Sequence, residues 1–293
     1  MKRLLLGALC LTIALTGCQQ RVEQPFLETI EYSNLLDGSV QEALSVIMTD
    51  AGISEERRQV FFGHVEQFND SVSQGGLASG FEQKEIAETK YDPYAMQDEW
   101  NEAHPEFLGY NCRITAFGLF GDHVEIPADA AVRTDMVMMD MVSLDEDPSV
   151  LLAEGDYDRF LALYSTVPTE GTQDTAVHAE NLRKDWAERR IVFDDYPDVR
   201  LISVVFHDTW DDADHLFVGH IGVLFLVAED ELYFVEKLAF QEPYQLTKFR
   251  NRVELNDYLM AKYDISAGQP TAAPFIMEND ELLEGYRQNP SKA

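Results

Sequence analysis

Cysteine and positive charge are both scarce in this chain. Its 293 residues include three cysteines, and 22 Lys and Arg residues stand against 53 Asp and Glu residues, for a formal net charge of -31. So negative a surface repels nucleic-acid phosphates, which argues against a nucleic-acid partner. Cys10 and Cys18 both lie near the N-terminus, so the rest of the chain holds one thiol and cannot close an internal disulfide. Stability must therefore come from the hydrophobic core.

The first residues have the layout of an export signal. A basic start at Lys2 is followed by an apolar run from Leu4 to Leu15, which is too short to span a bilayer. The run ends in "LTGC", which resembles the lipobox of bacterial lipoproteins and implies cleavage before Cys18 and lipid attachment to its thiol. We therefore expect a signal peptide at residues 1–17 and a lipid anchor that holds the protein to the cell membrane or outer membrane of the bacterial envelope.

The remaining chain is predicted to place helices before an antiparallel sheet, which is an α+β fold. Apolar residues from Val40 to Met48 recur at helical spacing, Ser54 is a typical helix N-cap, and residues 129–190 look mostly helical. Three β-branched or aromatic runs then predict strands, "VRLISVVFHD", "VGHIGVLFLVAED" and "ELYFVEKLAF", of which the last two form a hairpin. Residues 247–263 return to helix. These signals predict a tether at 18–34, a single domain at 35–264 and a tail at 265–293.

Cys112 stands at the start of a predicted helix, in "NCRITAFGLF". Asn111 is a good N-cap residue, so the thiol falls in the first turn, where free N–H groups and the helix dipole stabilise a thiolate. Arg113 adds a neighbouring positive charge. The position suits a nucleophile, provided that a base is in reach. The alternative is a buried cysteine that only packs, a common role for this residue type.

His220 is the most informative candidate for that base. It opens an apolar strand in "GHIGVLFLV", between Gly219 and Gly222, which would allow a substrate or another backbone to approach closely. Histidine is the commonest general base in proteins. A structural role would also explain a single histidine at this place.

The order of the two motifs resembles the papain-like superfamily, especially its cell-envelope NlpC branch, in which a cysteine opens a helix and a histidine opens a later strand. The resemblance implies a papain-like core and a thiol hydrolase that cleaves peptide or cell-wall amide bonds, with Cys112 as nucleophile and His220 as base. The chain departs from the branch in having Asn111 before the cysteine, Arg113 after it, and a long helical insertion between the motifs. The whole chain also resembles a family of uncharacterised bacterial lipoproteins, through "NCR" and "EKLAFQEPYQ", which implies no activity.

A papain-like site also needs a group that orients the imidazole. Glu236 on the following strand and Gln241 just beyond it are the candidates. A three-residue turn at Glu229–Glu231 would put Glu236 on the same face as His220, whereas a two- or four-residue turn would not. Glu236 is the preferred partner.

Further binding residues are predicted around the cysteine. An oxyanion would be stabilised by the Cys112 backbone N–H, with the side chain of Tyr110 or Asn111 as a second donor. Arg113 and Gln241 complete the set of binding residues. No cofactor is implied.

Two other interpretations compete with the hydrolase. A cluster of histidines and aspartates between residues 207 and 220 has the ligand types of a divalent metal site, although its spacing fits neither a helical zinc motif nor an EF-hand. An acidic loop is the simpler explanation, so no metal is expected. The second alternative is a non-catalytic lipoprotein that binds a ligand or acts as a scaffold. A buried, unreactive Cys112 favours that role, whereas a cysteine exposed in a cleft beside His220 favours an enzyme.

Overall fold

A computed structural model describes residues 24–210, 213–265 and 268–292. The predicted signal peptide, Cys18 and the first part of the tether lie outside these residues. Within them the fold is α+β, as predicted, and no helix combines the length and apolar character needed to cross a bilayer. The helices are α1 (Gly38–Asp50), α2 (Glu55–Ser71), α3 (Pro93–Ala103), α4 (Cys112–Phe120), α5 (Met138–Glu146), α6 (Asp156–Leu163), α7 (Thr175–Glu188) and α8 (Arg252–Tyr263).

The strands form one large antiparallel sheet and one small ladder. They are β1 (Thr29–Ser33), β2 (Glu82–Glu85), β3 (Val124–Glu125), β4 (Val167–Pro168), β5 (Val192–Phe193), β6 (Val199–Trp210), β7 (Ala213–Ala228), β8 (Glu231–Ala239), β9 (Glu242–Phe249), β10 (Phe275–Glu278) and β11 (Glu281–Leu282). The large sheet has the order β11-β10-β6-β7-β8-β9-β1-β2, with β4 paired to β7 and β3 paired to β5 elsewhere. The expected β7–β8 hairpin is formed.

The sheet extends beyond the predicted domain at both ends. β1 falls within the predicted tether and β10 within the predicted tail, yet each pairs with a strand of the large sheet. The helix predicted from residue 247 begins at Arg252, because the preceding residues complete β9. The large sheet therefore includes strands on both sides of residues 35–264.

Helices cover both faces of the sheet. Along β7, Ile221 and Val223 belong to one hydrophobic cluster, which also contains residues of α1 to α7. Leu224 belongs to a second cluster, with Leu255 and Leu259 of α8. Because successive strand residues point to opposite faces, α8 lies on one side of the sheet and the other helices lie on the opposite side.

Helix α4 is the buried helix of the larger layer. The Asn111 side chain accepts a hydrogen bond from Ile114 N at 3.0 Å, which is the predicted N-cap. Every residue of the helix except Arg113 is buried. At the other end, the buried Arg57 of α2 donates to the carbonyl of Gly118 at 2.9 Å and pairs with Asp122. Both ends of α4 are thus held, which fixes the position of the thiol in its first turn.

The glycines beside His220 accommodate protein side chains. A Cβ atom on Gly219 would lie 2.3 Å from the Phe206 ring, and one on Gly222 would lie 2.4 Å from the Phe234 ring and 2.6 Å from the Val235 carbonyl oxygen. The close approach expected at these glycines is therefore made by the sheet's own residues.

We expect Gly222→Ala to destabilise the fold by about 1–3 kcal/mol, because the added methyl group overpacks the sheet. Gly63→Ala in α2 is the matched control, since a Cβ there meets no atom within 4 Å. The control should stabilise the protein by about 0.5–1 kcal/mol, through the better helix propensity of alanine. Denaturant unfolding of the two variants measures the difference, and equal midpoints would contradict the described packing.

Candidate active site

Cys112 lies in the first turn of α4, where the sheet opens. Pairing of β7 with β8 runs from Ala228–Glu231 to Val223–Val235, after which β7 continues beside β6 and β8 continues beside β9. Helix α4 packs against both strands. The residue is buried and keeps 7% of its surface exposed. The thiol lies beside His220, which is on the part of β7 that no longer pairs with β8.

His220 is positioned by a β-bulge. Val204 pairs with His220 and Val205 with Val218, so Gly219 is the extra residue in β7. The imidazole stacks on the Tyr263 ring of α8, with 4.5 Å between ring centroids. Its Nε2 donates to Glu236 Oε2 at 2.6 Å, which leaves Nδ1 for the nearby Cys112 thiol, whose negative charge raises the pKa of the ring.

A second bulge brings Glu236 to the same face as His220. The turn between β7 and β8 has two residues, Glu229 and Asp230, and not the three that the sequence analysis required. Leu226 pairs with Leu232 and Ala228 with Glu231, so Val227 is an extra residue in β7 that supplies the missing shift of register. Glu236 thus lies on the expected face, but a bulge at Val227 places it there and not a three-residue turn.

The Glu236 carboxylate is held by two further donors. Gln245 Nε2 and Tyr258 OH both donate to Glu236 Oε1, at 3.1 and 2.5 Å, and Gln245 also donates to Tyr258 OH at 2.8 Å. Gln245 lies directly opposite Glu236 on β9. Gln241, the other predicted partner, lies in the turn between β8 and β9, so the glutamine that meets Glu236 is Gln245. Polar and apolar residues are mixed along β9, so no sequence signal singled out Gln245.

The electrostatics favour a charged pair. Burial raises the pKa of Cys112, but the nearby His220 and Arg113 outweigh it and lower that pKa below the ordinary thiol value. Burial lowers the pKa of His220, but the Cys112 thiolate and Glu236 outweigh it and raise that pKa to about 9. Burial raises the pKa of Glu236, yet His220 and Lys262 lower it overall. The interactions among the three groups thus favour the charged form of each against the effect of burial.

Arg113 clamps α4 to β7. Its guanidinium binds both oxygens of Asp140, at 2.9 and 2.5 Å, and donates to the Val218 carbonyl at 2.9 Å. Asn111 Nδ2 donates to the same carboxylate at 2.8 Å. Asp140, in α5, is fully buried and was not found from the sequence. This carboxylate ties the start of α4 to the strand segment just before His220.

The side chains predicted to help an oxyanion are engaged elsewhere. The Tyr110 hydroxyl donates to Asp147, and its ring stacks on His64 at 3.7 Å. The Asn111 amide is used by Ile114 N and Asp140. The first N–H groups of a helix lack intrahelical acceptors, which leaves the backbone of Cys112 and Arg113 as the donors next to the thiol.

The histidine–aspartate cluster does not form a metal site in the described part of the chain. Asp211 and Asp212 lie outside the described residues. His207 Nε2 binds Asp214 Oδ1 at 2.9 Å, and its Nδ1 accepts from Ala272 N at 2.9 Å, so both ring nitrogens are occupied. No group of three or more potential ligands suited to a metal is found among the described residues.

The charged pair makes a testable prediction for Cys112→Ser. The pKa of His220 should fall from about 9, because the contribution of the thiolate is lost while the burial and the bond to Glu236 remain. Titration of the ring resonances by nuclear magnetic resonance measures this. His64 is the internal control, since burial lowers its pKa to about 4 and its ring should stay neutral near pH 7 in both proteins. An unchanged His220 titration would show that the two side chains are not coupled.

Comparison with known proteins assigns a family without an activity. A model described as "Domain of unknown function (DUF4300)" matches residues 31–283. No curated protein and no solved structure matches the chain. The matched range contains Cys112, His220 and Glu236, and it includes most of β1 and all of β10, which lie beyond the predicted domain bounds. The chain is thus a member of the DUF4300 family.

Proposed function

We propose that this protein is a cell-envelope thiol hydrolase of the papain-like type, acting on peptide or cell-wall amide bonds. The observation that carries the proposal is the buried series Cys112–His220–Glu236, with Nε2 of the imidazole on the carboxylate and the other ring nitrogen left for the thiol. A nucleophile, a base and an orienting group joined in this order are the parts of a catalytic triad. The helix start beneath the thiol provides backbone donors for an oxyanion.

The proposed reaction follows from these roles. The Cys112 thiolate attacks the amide carbonyl carbon, and the developing oxyanion is stabilised by the backbone N–H groups of Cys112 and Arg113. The His220 imidazolium gives its proton to the leaving nitrogen, so the C–N bond breaks and a thioester remains. The neutral imidazole then takes a proton from water, the hydroxide attacks the thioester, and the acid and the thiolate are released. Glu236 stabilises the imidazolium and keeps the ring in place.

The arrangement along the chain supports a papain-like core. The cysteine opens a helix, the histidine lies on a later antiparallel strand, and the orienting residue lies on the next strand of the same sheet. Helices α5, α6 and α7 lie between the two motifs, in the place of the predicted insertion. Asp140, which fixes both Asn111 and Arg113, belongs to this insertion. In this proposal the two residues that depart from the NlpC pattern are explained by that additional contact.

The proposed location rests on the N-terminal sequence. A signal peptide followed by a lipidated Cys18 would anchor the protein to the bacterial cell membrane or outer membrane, where cell-wall peptides are the abundant amide substrates. The strongly negative charge suits an exported soluble domain and disfavours a nucleic-acid substrate.

One observation favours the non-catalytic alternative, a lipoprotein that binds a ligand or acts as a scaffold. Cys112 keeps 7% of its surface exposed and His220 keeps 1%, so access to the thiol is narrow. Two surface cavities of about 480 and 520 Å³ are lined by residues of other regions. An enzyme must admit substrate at this point, whereas a scaffold need not.

Hydrolysis assays with cell-wall peptides and their variants test the proposal. Cys112→Ala should abolish turnover, and Glu236→Gln should lower kcat on the order of 10²-fold or more, because the neutral amide no longer stabilises the imidazolium. Glu231→Gln is the matched control, since this exposed carboxylate lies at the start of the same strand. It should leave kcat unchanged.

Trapping the thioester gives a second readout. Intact-mass measurement after rapid acid quench should detect an acyl group on wild-type protein and none on Cys112→Ala. Turnover retained in Cys112→Ala would eliminate the thiol mechanism. Absence of turnover and of acylation with every cell-wall peptide would favour the binding lipoprotein.

A further inference from the structure

Two lysines near Glu236, Lys84 and Lys262, form no ion pair within the described part of the chain. In this acidic chain, buried or half-buried arginines commonly bind carboxylates, as Arg113 binds Asp140 and Arg252 binds Glu278. The acceptors of Lys84 and Lys262 in the described part of the chain are neutral. Lys84 Nζ donates to Gln245 Oε1 and Lys262 Nζ to Tyr258 OH, each at 3.4 Å.

The two ammonium groups converge on one polar network. Gln245 and Tyr258 are bonded to each other at 2.8 Å, and both donate to Glu236. Lys84 comes from β2 at one end of the sheet, and Lys262 from the last turn of α8. Two cations from distant parts of the sequence therefore meet beside the carboxylate that orients the imidazole.

Lys84 is costly to keep in this position. It is 9% exposed and its ammonium lies 4.2 Å from the centre of the Tyr32 ring. An ammonium has three donors, and the single acceptor at 3.4 Å satisfies one of them weakly. Burial, followed by repulsion from Lys262, lowers the pKa of Lys84 to about 8. A buried cation of this kind is stabilised when an anion binds beside it.

The nearby carboxylates already have partners. Glu236 accepts from His220, and Glu242 accepts from the Tyr91 hydroxyl at 2.8 Å. Lys262, Tyr91 and Glu242 are each partly exposed, so this network extends to the surface of the protein. Lys262 is thus the more accessible of the two ammonium groups, and an anion from outside would meet it first.

We infer that Lys84 and Lys262 form a binding site for a carboxylate carried by the substrate. The inference rests on the proposed hydrolase, and it defines the substrate class as amides that bear a free carboxylate away from the scissile bond, such as peptides with a free C-terminus. Two ammonium groups on flexible stems act as point charges that suit such a group.

Binding can be measured without turnover in the mature soluble chain carrying Cys112→Ala. The probes are acetyl-alanyl-alanine and its C-terminal amide, which differ only in the charged group. Calorimetry should show the acid binding about tenfold or more tightly than the amide, because hydrogen bonds to charged groups are the stronger ones. Lys84→Met and Lys262→Met should each remove most of that preference.

Lys184→Met is the matched control, because Lys184 is exposed on α7 and pairs with Glu180. It should keep the full preference for the acid. Lys84→Met is expected to fold, since methionine follows the same apolar path over the Tyr32 ring. Thermal unfolding of each variant checks this.

Several outcomes would overturn the carboxylate site. They are equal affinity for acid and amide, a preference that survives in both Lys84→Met and Lys262→Met, and no saturable binding of either probe. Acetate binding as tightly as the dipeptide would show a general anion site and would also overturn it. Because the thiol is absent from these proteins, failure of the hydrolase leaves the binding result readable, and equal affinities leave hydrolysis by Cys112 untouched.

Discussion

Burial disfavours the charged forms of Cys112, His220 and Glu236, whereas their mutual attraction favours those forms. Each of the three pKa values moves in the direction that its partners impose and against the direction that burial imposes. In a low-dielectric interior such attraction is strong, and removing one member leaves a buried neighbour without one of its partners. The three groups therefore act as a unit, and the rest of the fold must hold them within contact.

The surrounding fold supplies that restraint from three directions. The bulges at Gly219 and Val227 set the register of β7 against β6 and β8, so that His220 and Glu236 share a face. The Arg113–Asp140 pair joins the start of α4 to the Val218 carbonyl, two residues before the histidine. Helix α8 contributes Tyr258 to the carboxylate and Tyr263 to the imidazole. The two bulges, the Arg113–Asp140 pair and the tyrosines of α8 thus all help to position His220 and Glu236.

The sequence was sufficient to predict the parts that depend on local signals. The N-cap at Asn111, the thiol in the first helical turn and the β7–β8 hairpin follow from residue type and periodicity. The strands β1 and β2 were missed, because "TIEYS" and "EQKE" are short and charged and gain their structure from pairing at one end of the sheet. The family match adds membership alone, so the roles of these residues stay proposals.

The contacts between distant residues could not be predicted. Asp140 and Gln245 are single polar residues whose importance depends on which side chains lie opposite them in the folded protein. No glycine or proline marks the bulge at Val227 in the sequence. The two-residue turn alone would have placed Glu236 on the face opposite His220, and the extra residue moves it to the same face. The predicted face was correct although the predicted turn was wrong. The face depends only on whether the number of residues between the two paired strands is odd or even, and a two-residue turn with one bulge residue gives the same result as a three-residue turn.

The rate of Cys112 alkylation as a function of pH tests the coupled charges most directly. The protein for this measurement is the soluble chain without the signal and Cys18, in wild-type form and as His220→Ala. Reaction with a small alkylating reagent should persist well below the ordinary thiol pKa of about 8.5 in the wild type and should require higher pH in His220→Ala. Alkylation that needs denaturant, or that follows an ordinary thiol in both proteins, would contradict the account and make Cys112 a structural residue.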